Sequence, residues 1–498
     1  MSETNEPRDE ARPDEPAPGT PRVGVDEWVA SHEGRRARSA GIVGRLQQWW
    51  RRTPPAGRIL VFLIPAAIFP LVSNTGNIYR YGVVTLIYAL LAYGLTIVVG
   101  FAGLLDLGYI AFFGFGAYIY AFLSSAHSEK GHVFAHHWDA QYSIPVAVAI
   151  CALLGLFLGS SSRRLLGDYL AIVTLFFGQA FVVFTNAADP YGITNGSGGL
   201  ANVDPLRFFG GNVVIDTTRG YYWFLLGVVV VLLIVLHFLS ESRTGRAWKS
   251  SREDPLAAEL MGVPVNRLKI MAFSFGAGIA GLAGSIFAAV QTGAFPQNFG
   301  TAVLILIYAV VILGGTGSLT GMVVGAIVIV ASNQVLDSTS SPTLQRVLFY
   351  SVLVAAVLLT MKTWPRRIAA LAGTVAFGLV VREVVGALWT KGTKGQVTSG
   401  GFLTDVIKHW VLIPENPHRV AVWGYLLLIV CIIVLVQLKG WWRIIVLVPT
   451  LTLTAFVWEN LLIINPAVTR SVLFGVLLIA VMTIRPEGLF GQAKVEVV

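Results

Sequence analysis

The chain has 498 residues, of which 55% are hydrophobic and only 13% charged, with a formal net charge of +9 and a mean hydropathy of +0.70. So little polar surface cannot cover a soluble protein of this length, and a bilayer must act as its solvent. The two cysteines, Cys151 and Cys431, both fall in apolar runs, which argues against a disulfide framework and makes buried small hydrophobes of them.

Residues 1–34 are rich in Pro, Glu, Asp and Thr and read as a disordered cytoplasmic tail without the apolar core of a signal peptide. From 35 to 58 the charge is wholly basic (Arg35, Arg36, Arg38, Arg45, Arg51, Arg52, Arg58), with Trp49 and Trp50 among the arginines. This suits a juxtamembrane anchor on anionic lipid, and nucleic acid is excluded as its partner because a membrane span follows at once. Apolar runs then predict an all-α, polytopic helical bundle of about fourteen spans, near 59–76, 80–100, 103–123, 143–161, 168–186, 221–239, 270–291, 302–314, 319–335, 346–361, 368–388, 421–438, 444–463 and 471–484. With fourteen spans the basic clusters at Arg163/Arg164, Arg243 to Lys269, Lys362/Arg366/Arg367, Lys439/Arg443 and Arg485/Lys494 all face the cytoplasm, as do both termini. The short segment 302–314 also suits a broken or re-entrant helix.

The longest charged island, Ser240 to Lys269, carries six basic residues against four acidic ones and reads as a cytoplasmic loop. It also carries helix punctuation. Asp254 is an N-cap, Pro255 a first helical residue and Gly262 a left-handed stop after Met261, which predicts a short capped helix. A connector between spans needs no such helix, so the loop reads as a docking element, with Arg246, Arg252, Glu253 and Asp254 as its surface and Pro255, Ala258 and Gly262 as its frame.

Two stretches are weak helices inside the membrane. Gly100, Gly103, Gly108, Gly114 and Gly116 surround Asp106, a carboxylate near membrane depth, and Gly314, Gly315 and Gly317 form a second possible break. Asp106 is either part of a solute pathway or a cap at the inner interface. In the span from 270, Gly276, Ala280, Gly284 and Ala288 recur every four residues beside a second stripe of Ala277, Gly281, Ser285 and Ala289, which predicts close helix contacts. His127, His132, His136 and His137 share one external loop, and His132 and His136 would share a helix face, a spacing that permits a metal. No cysteine accompanies them, and no metal is assigned. The sequence shows no phosphate-binding loop, no nucleophile motif and no ligand set of catalytic spacing, so this is not an enzyme.

Five stretches together resemble one family. They are Gly245 to Ala288 (GRAWKSSREDPLAAELMGVPVNRLKIMAFSFGAGIAGLAGSIFA), Leu313 to Gly321 (LGGTGSLTG), Gly100 to Tyr118 (GFAGLLDLGYIAFFGFGAY), Gly167 to Gln179 (GDYLAIVTLFFGQ) and Val472 to Gly491 (VLFGVLLIAVMTIRPEGLFG). These look like the permease subunits of branched-chain amino acid ABC importers, the LivM-like branch in particular. The resemblance implies a permease core at 59–361 with its coupling loop at 240–269, in a bacterial cytoplasmic membrane. It implies two cytoplasmic ATPase subunits that hold ATP and Mg, a second permease subunit, and an extracytoplasmic solute-binding protein, with no cofactor bound by this chain. Asp106, Gly108, Tyr109, Gly114, Thr174, Gln179, Gly314 and Gly315 are the candidate substrate path, although the resemblance by itself does not make Asp106 a ligand. Two departures make that path less acidic than the family's: Gln179 where a Glu is common, and Val303 and Leu304 where a Glu-Ser pair is common. The turn-rich segment Thr185 to Leu200, read as an external loop, matches the family only in part. Residues 362–470 read as an insertion of about four extra helices, with 471–498 as the terminal helix and cytoplasmic end. An ion-coupled secondary transporter or channel working through Asp106, or an ABC permease for urea or short amides, is the alternative.

Overall fold

The computed structural model describes residues 55–125, 136–161, 167–187, 194–335, 342–360, 364–389, 392–393, 395, 403–415, 417–438 and 441–462, together with Gly475, Gly488 and Phe490. The expected N-terminal tail, most of the basic segment and the span at 471–484 apart from Gly475 lie outside the described residues. The chain divides into two compact units, residues 1–67 and 68–498. The described part of the first is the beginning of helix α1 (Pro55–Val72).

Helices fill the second unit, most of them formed from apolar runs. These are α2 (Thr75–Phe101), α3 (Tyr109–Leu123), α4 (Ala140–Ser161), α5 (Gly167–Ala187), α6 (Thr218–Glu241), α7 (Arg243–Glu253), α8 (Pro255–Leu260) and α9 (Val265–Gln291). After them come α10 (Thr301–Gly314), α11 (Leu319–Val335), α12 (Pro342–Thr360), α13 (Trp364–Leu388), α14 (Leu403–Trp410), α15 (Pro417–Gln437) and α16 (Trp441–Val457). Seven described helices are long and apolar enough to cross a membrane, and five shorter apolar helices accompany them. The architecture is the expected all-α membrane bundle. The count of fourteen spans is not reached among the described residues.

One boundary moves. The span expected from 103 begins at Tyr109, because Gly103 takes φ +70° and the residues from Ala102 to Gly108 leave helical geometry. A positive φ is cheap only for glycine, so the helix is interrupted where the sequence supplies one. The segment 302–314 is a short helix, α10, preceded by a tight turn at Pro296–Phe299.

Helix α9 is the hub, packed against α2, α3 and α4. Its small-residue stripes produce these contacts. A methyl at Gly284 would stand 2.0 Å from the Phe113 carbonyl oxygen of α3, and one at Gly276 would stand 3.1 Å from the Gly94 carbonyl oxygen of α2. On the neighbouring stripe, Gly281 approaches Cys151 of α4, and Ser285 Oγ donates to the carbonyl oxygens of Gly116 (3.3 Å) and Gly281 (2.9 Å). Lipid offers no hydrophobic drive to pair helices, so such close backbone packing and interhelical hydrogen bonds hold the bundle together.

Short strands pair at one end of the helices: β1 (Ser124–Ser125) with β2 (His136–His137), β3 (Leu200–Ala201) with β6 (Gly293–Ala294), and β4 (Leu206–Phe208) with β5 (Val213–Ile215). The extended backbone of His136 and His137 removes the helix face expected for His132 and His136, and His132 lies outside the described residues. Asn195 at φ +57° and Gly199 at φ +65° bend the segment before β3, and Gln297 Nε2 donates to the Ser197 carbonyl at 2.9 Å, so residues 194–200 of the turn-rich stretch are folded against the turn that precedes α10. Among the late helices, α13 packs on α12, α14 and α16, and α15 packs on α16.

Candidate functional site

The interruption between α2 and α3 lies beside the coupling loop. A π-helical turn, Thr96–Phe101, loosens the end of α2. The chain then crosses Gly103 and restarts as α3 after Gly108. Side chains from distant elements brace the unwound residues. Thr174 Oγ1 of α5 accepts from the Leu107 N–H at 3.0 Å, Tyr308 of α10 donates its hydroxyl to the Asp106 carbonyl at 2.6 Å, and Tyr109 donates to the Leu91 carbonyl of α2 at 2.9 Å. Asp106 is fully buried. Its Oδ1 accepts from the Gly108 N–H at 2.9 Å, which makes the carboxylate a local cap, while its Oδ2 has no partner among the described residues. Leu105 beside it is exposed.

The structure gathers Asp106, Gly108, Tyr109 and Thr174 into one cluster. Gly114 stands apart, packed on the Phe181 ring. Gln179 is exposed and donates to Thr301 Oγ1 at 2.6 Å, which joins α5 to the start of α10. Gly314 lies against the Gly321 carbonyl of α11, and Gly315 takes φ +101°, so the second glycine break is a tight turn between α10 and α11. That turn meets the first break: a methyl at Gly100 would be 2.9 Å from the Gly317 amide nitrogen. Of Val303 and Leu304, the latter is buried.

The coupling loop folds as its punctuation predicts. Asp254 caps α8 by accepting from the Leu256 and Ala257 N–H groups at 2.9 and 3.0 Å, Pro255 opens the helix, and Gly262 closes it at φ +81°. An exposed cap of this kind stabilises a helix by about 1 kcal/mol. Helix α7 is anchored by Trp248, which is fully buried and donates Nε1–H to the Leu268 carbonyl of α9 at 2.8 Å. Arg246 donates to the Glu241 carbonyl at 2.5 Å, and Arg252 donates to the Gly100 carbonyl. Glu253 is exposed and Ala258 buried. Three large apolar side chains are exposed at α8, Leu256, Leu260 and Met261 at 69%, 81% and 85%, beside the exposed Glu259.

Other residues take part through contacts that no local pattern announces. Tyr308 sits in an apolar run with no motif around it, and its partner lies 202 residues away. At the C-terminal end, the Phe490 N–H donates to the Gly314 carbonyl at 3.2 Å, and Gly488, at φ +77°, leaves room for no side chain against Gly315. At the opposite end of the bundle, His137, Trp138, Asp139, Gln141, Tyr142, Arg207 and Gly210 line an open cleft of about 680 Å³. His137 Nδ1 there lies 2.5 Å from Asp204 Oδ2.

Residues 77–357 match the family described as "Branched-chain amino acid transport system / permease component". The chain belongs to that family. It is 32% identical over 302 residues to the high-affinity branched-chain amino acid transport system permease protein LivM of Salmonella typhimurium, covering 56% of this chain and 68% of the relative. The LivM protein of Escherichia coli matches to the same extent. The LivH permease of Salmonella typhimurium is 24% identical over 291 residues, covering 55% of this chain and 90% of the relative. No solved structure matches. This permease is therefore a multi-pass membrane component of a transport system, and it works within a larger membrane complex. Helices α13 to α16 lie beyond the matched region.

Proposed function

We propose that this permease is the membrane-spanning subunit of an ATP-driven importer for branched-chain amino acids, moving its solute inward by alternating access. Two cytoplasmic ATPase subunits bind ATP and Mg, a second permease subunit completes the path, and a soluble protein delivers the solute from outside. The observation that carries this reading is α8. A two-turn helix, capped at both ends and seated on the bundle through Ala258, leaves Leu256, Leu260 and Met261 in solvent. Large apolar side chains stay exposed on a rigid helix at a cost unless a partner's groove receives them. The excess of basic residues in this loop supports a cytoplasmic position. Phe490, hydrogen-bonded to Gly314 at the same end of the bundle, supports a cytoplasmic C-terminus as well.

The reading is tested by affinity purification from the native membrane and by uptake of radiolabelled leucine, isoleucine and valine into vesicles. Two ATPases and a second permease should co-purify, and uptake should require ATP. Leu256→Asp/Leu260→Asp should release the ATPases, while Asp254→Ala should fray α8 and lower ATP-dependent uptake. Uptake that persists in ATP-depleted vesicles, unaffected by either variant, would replace this reading with an ion-coupled carrier.

A further inference from the structure

The coupling loop and the unwound segment are joined by one side chain. Arg252 stands at the last turn of α7, two residues before the Asp254 cap of α8. Its guanidinium donates to the carbonyl of Gly100, 152 residues away, where the π-helical turn of α2 ends. Its stem covers Gly103, where a methyl group would lie 2.8 Å from Arg252 Cγ, and a methyl on Gly317 would lie 3.7 Å from Arg252 Nη1. Gly103 and Gly317 both have positive φ, at +70° and +89°. The guanidinium therefore sits where two glycine-built interruptions meet, and the absence of a side chain on Gly103 makes room for the arginine stem.

Gly488 and Phe490 meet the same joint. Gly488 is set against the turn between α10 and α11 so closely that a methyl would lie 2.5 Å from both Gly315 Cα and the Ile312 carbonyl oxygen. The Phe490 N–H then donates to the Gly314 carbonyl at 3.2 Å. Gly488 and Phe490 thus meet the same turn that Gly100 and Arg252 touch.

We propose that Arg252 is a positioning residue that transmits movement of α8 to the unwound segment 102–108, and that Gly488 and Phe490 hold the turn against which it works. The proposal rests on the import reading for its driving force. Its physical content is independent of that reading: without the Arg252 hydrogen bond, the segment around Asp106 loosens. A guanidinium suits this role because it holds a carbonyl firmly in a partly dry site, whereas a surface arginine would rest in water.

The test uses Arg252→Met, which keeps an unbranched apolar stem over Gly103 and deletes the donor, and Arg252→Lys, which keeps a donor. Both are measured in the full complex, by hydrogen exchange of the amides in 100–108 and by solute moved per ATP hydrolysed. For Arg252→Met we expect faster exchange in 100–108, retained ATPase co-purification, and solute moved per ATP lowered about tenfold or more. Arg252→Lys should recover part of both. Gly488→Ala should speed exchange in 314–318. Unchanged exchange in Arg252→Met overturns the proposal, as does loss of the ATPases from that variant, which would make Arg252 a docking contact. If uptake proves independent of ATP while exchange still rises, the import reading fails and the joint stands.

Discussion

A methyl group at position 108 would lie 2.3 Å from the Thr174 carbonyl oxygen, well inside contact distance, so α3 and α5 approach each other only because residue 108 is glycine. Gly108→Ala must push the two helices apart at the point where Leu107 N–H meets Thr174 Oγ1. We expect a loss of about 1–3 kcal/mol, the usual cost of overpacking, read as a lower melting temperature in detergent, and impaired uptake. At this scale the sequence was legible wherever the cause is local. Asp254, Pro255 and Gly262 act on their own neighbours, and each takes the role its residue type dictates. Asp106 shows the other case. Its glycine setting was readable, yet the bracing by Tyr308 and Thr174 was not, because neither is near it in the chain. The histidine loop misled for a similar reason: spacing suggests a helix face, but pairing with Ser124 and Ser125 extends His136 and His137.

Among the helices, glycine does not mean one thing. In α9, Gly284 would place a methyl 2.0 Å from the Phe113 carbonyl oxygen, whereas Gly227 in α6 has nothing within 4 Å of the same position. Gly284→Ala is therefore expected to destabilise the bundle by separating α9 from α3. Gly227→Ala should be neutral or stabilising by up to about 1 kcal/mol through helix propensity alone. Thermal melting of the two variants side by side decides the point, and equal effects would remove α9 from the centre of the packing. The four-residue repeat in α9 announced close contacts without naming partners. Their identity depends on how α2, α3 and α4 are arranged around it.

Across the whole molecule, the helix at the end of the family-matched region is tied to the additional helices by a buried ion pair. Arg346 of α12 meets Glu459, just beyond α16, at 2.9 Å, with both side chains excluded from solvent, and the Tyr350 hydroxyl donates to the same carboxylate at 3.3 Å. Phe349 stacks on Trp458 beside them with ring centroids 4.0 Å apart. Arg346→Met leaves the Glu459 charge buried without its principal partner and should cost about 3–5 kcal/mol, whereas Arg346→Met with Glu459→Leu should recover most of that loss. Melting temperatures of the two single variants and the double variant complete the cycle. A double variant no better than the singles would show that the pair is not the unit that matters.

Membrane residence, helical class and the capped coupling helix were determined by the sequence alone. Apolar run length answers to bilayer thickness, and caps answer to unpaired backbone groups within one turn. Only the tertiary structure decided that the span expected from 103 begins at Tyr109, that Arg252 reaches Gly100, and that Gly488 closes on Gly315. The physical reason is reach. Run length, caps and turns are local and recur in any chain that carries them, whereas a side chain meeting a carbonyl 152 residues away depends on every helix packed between.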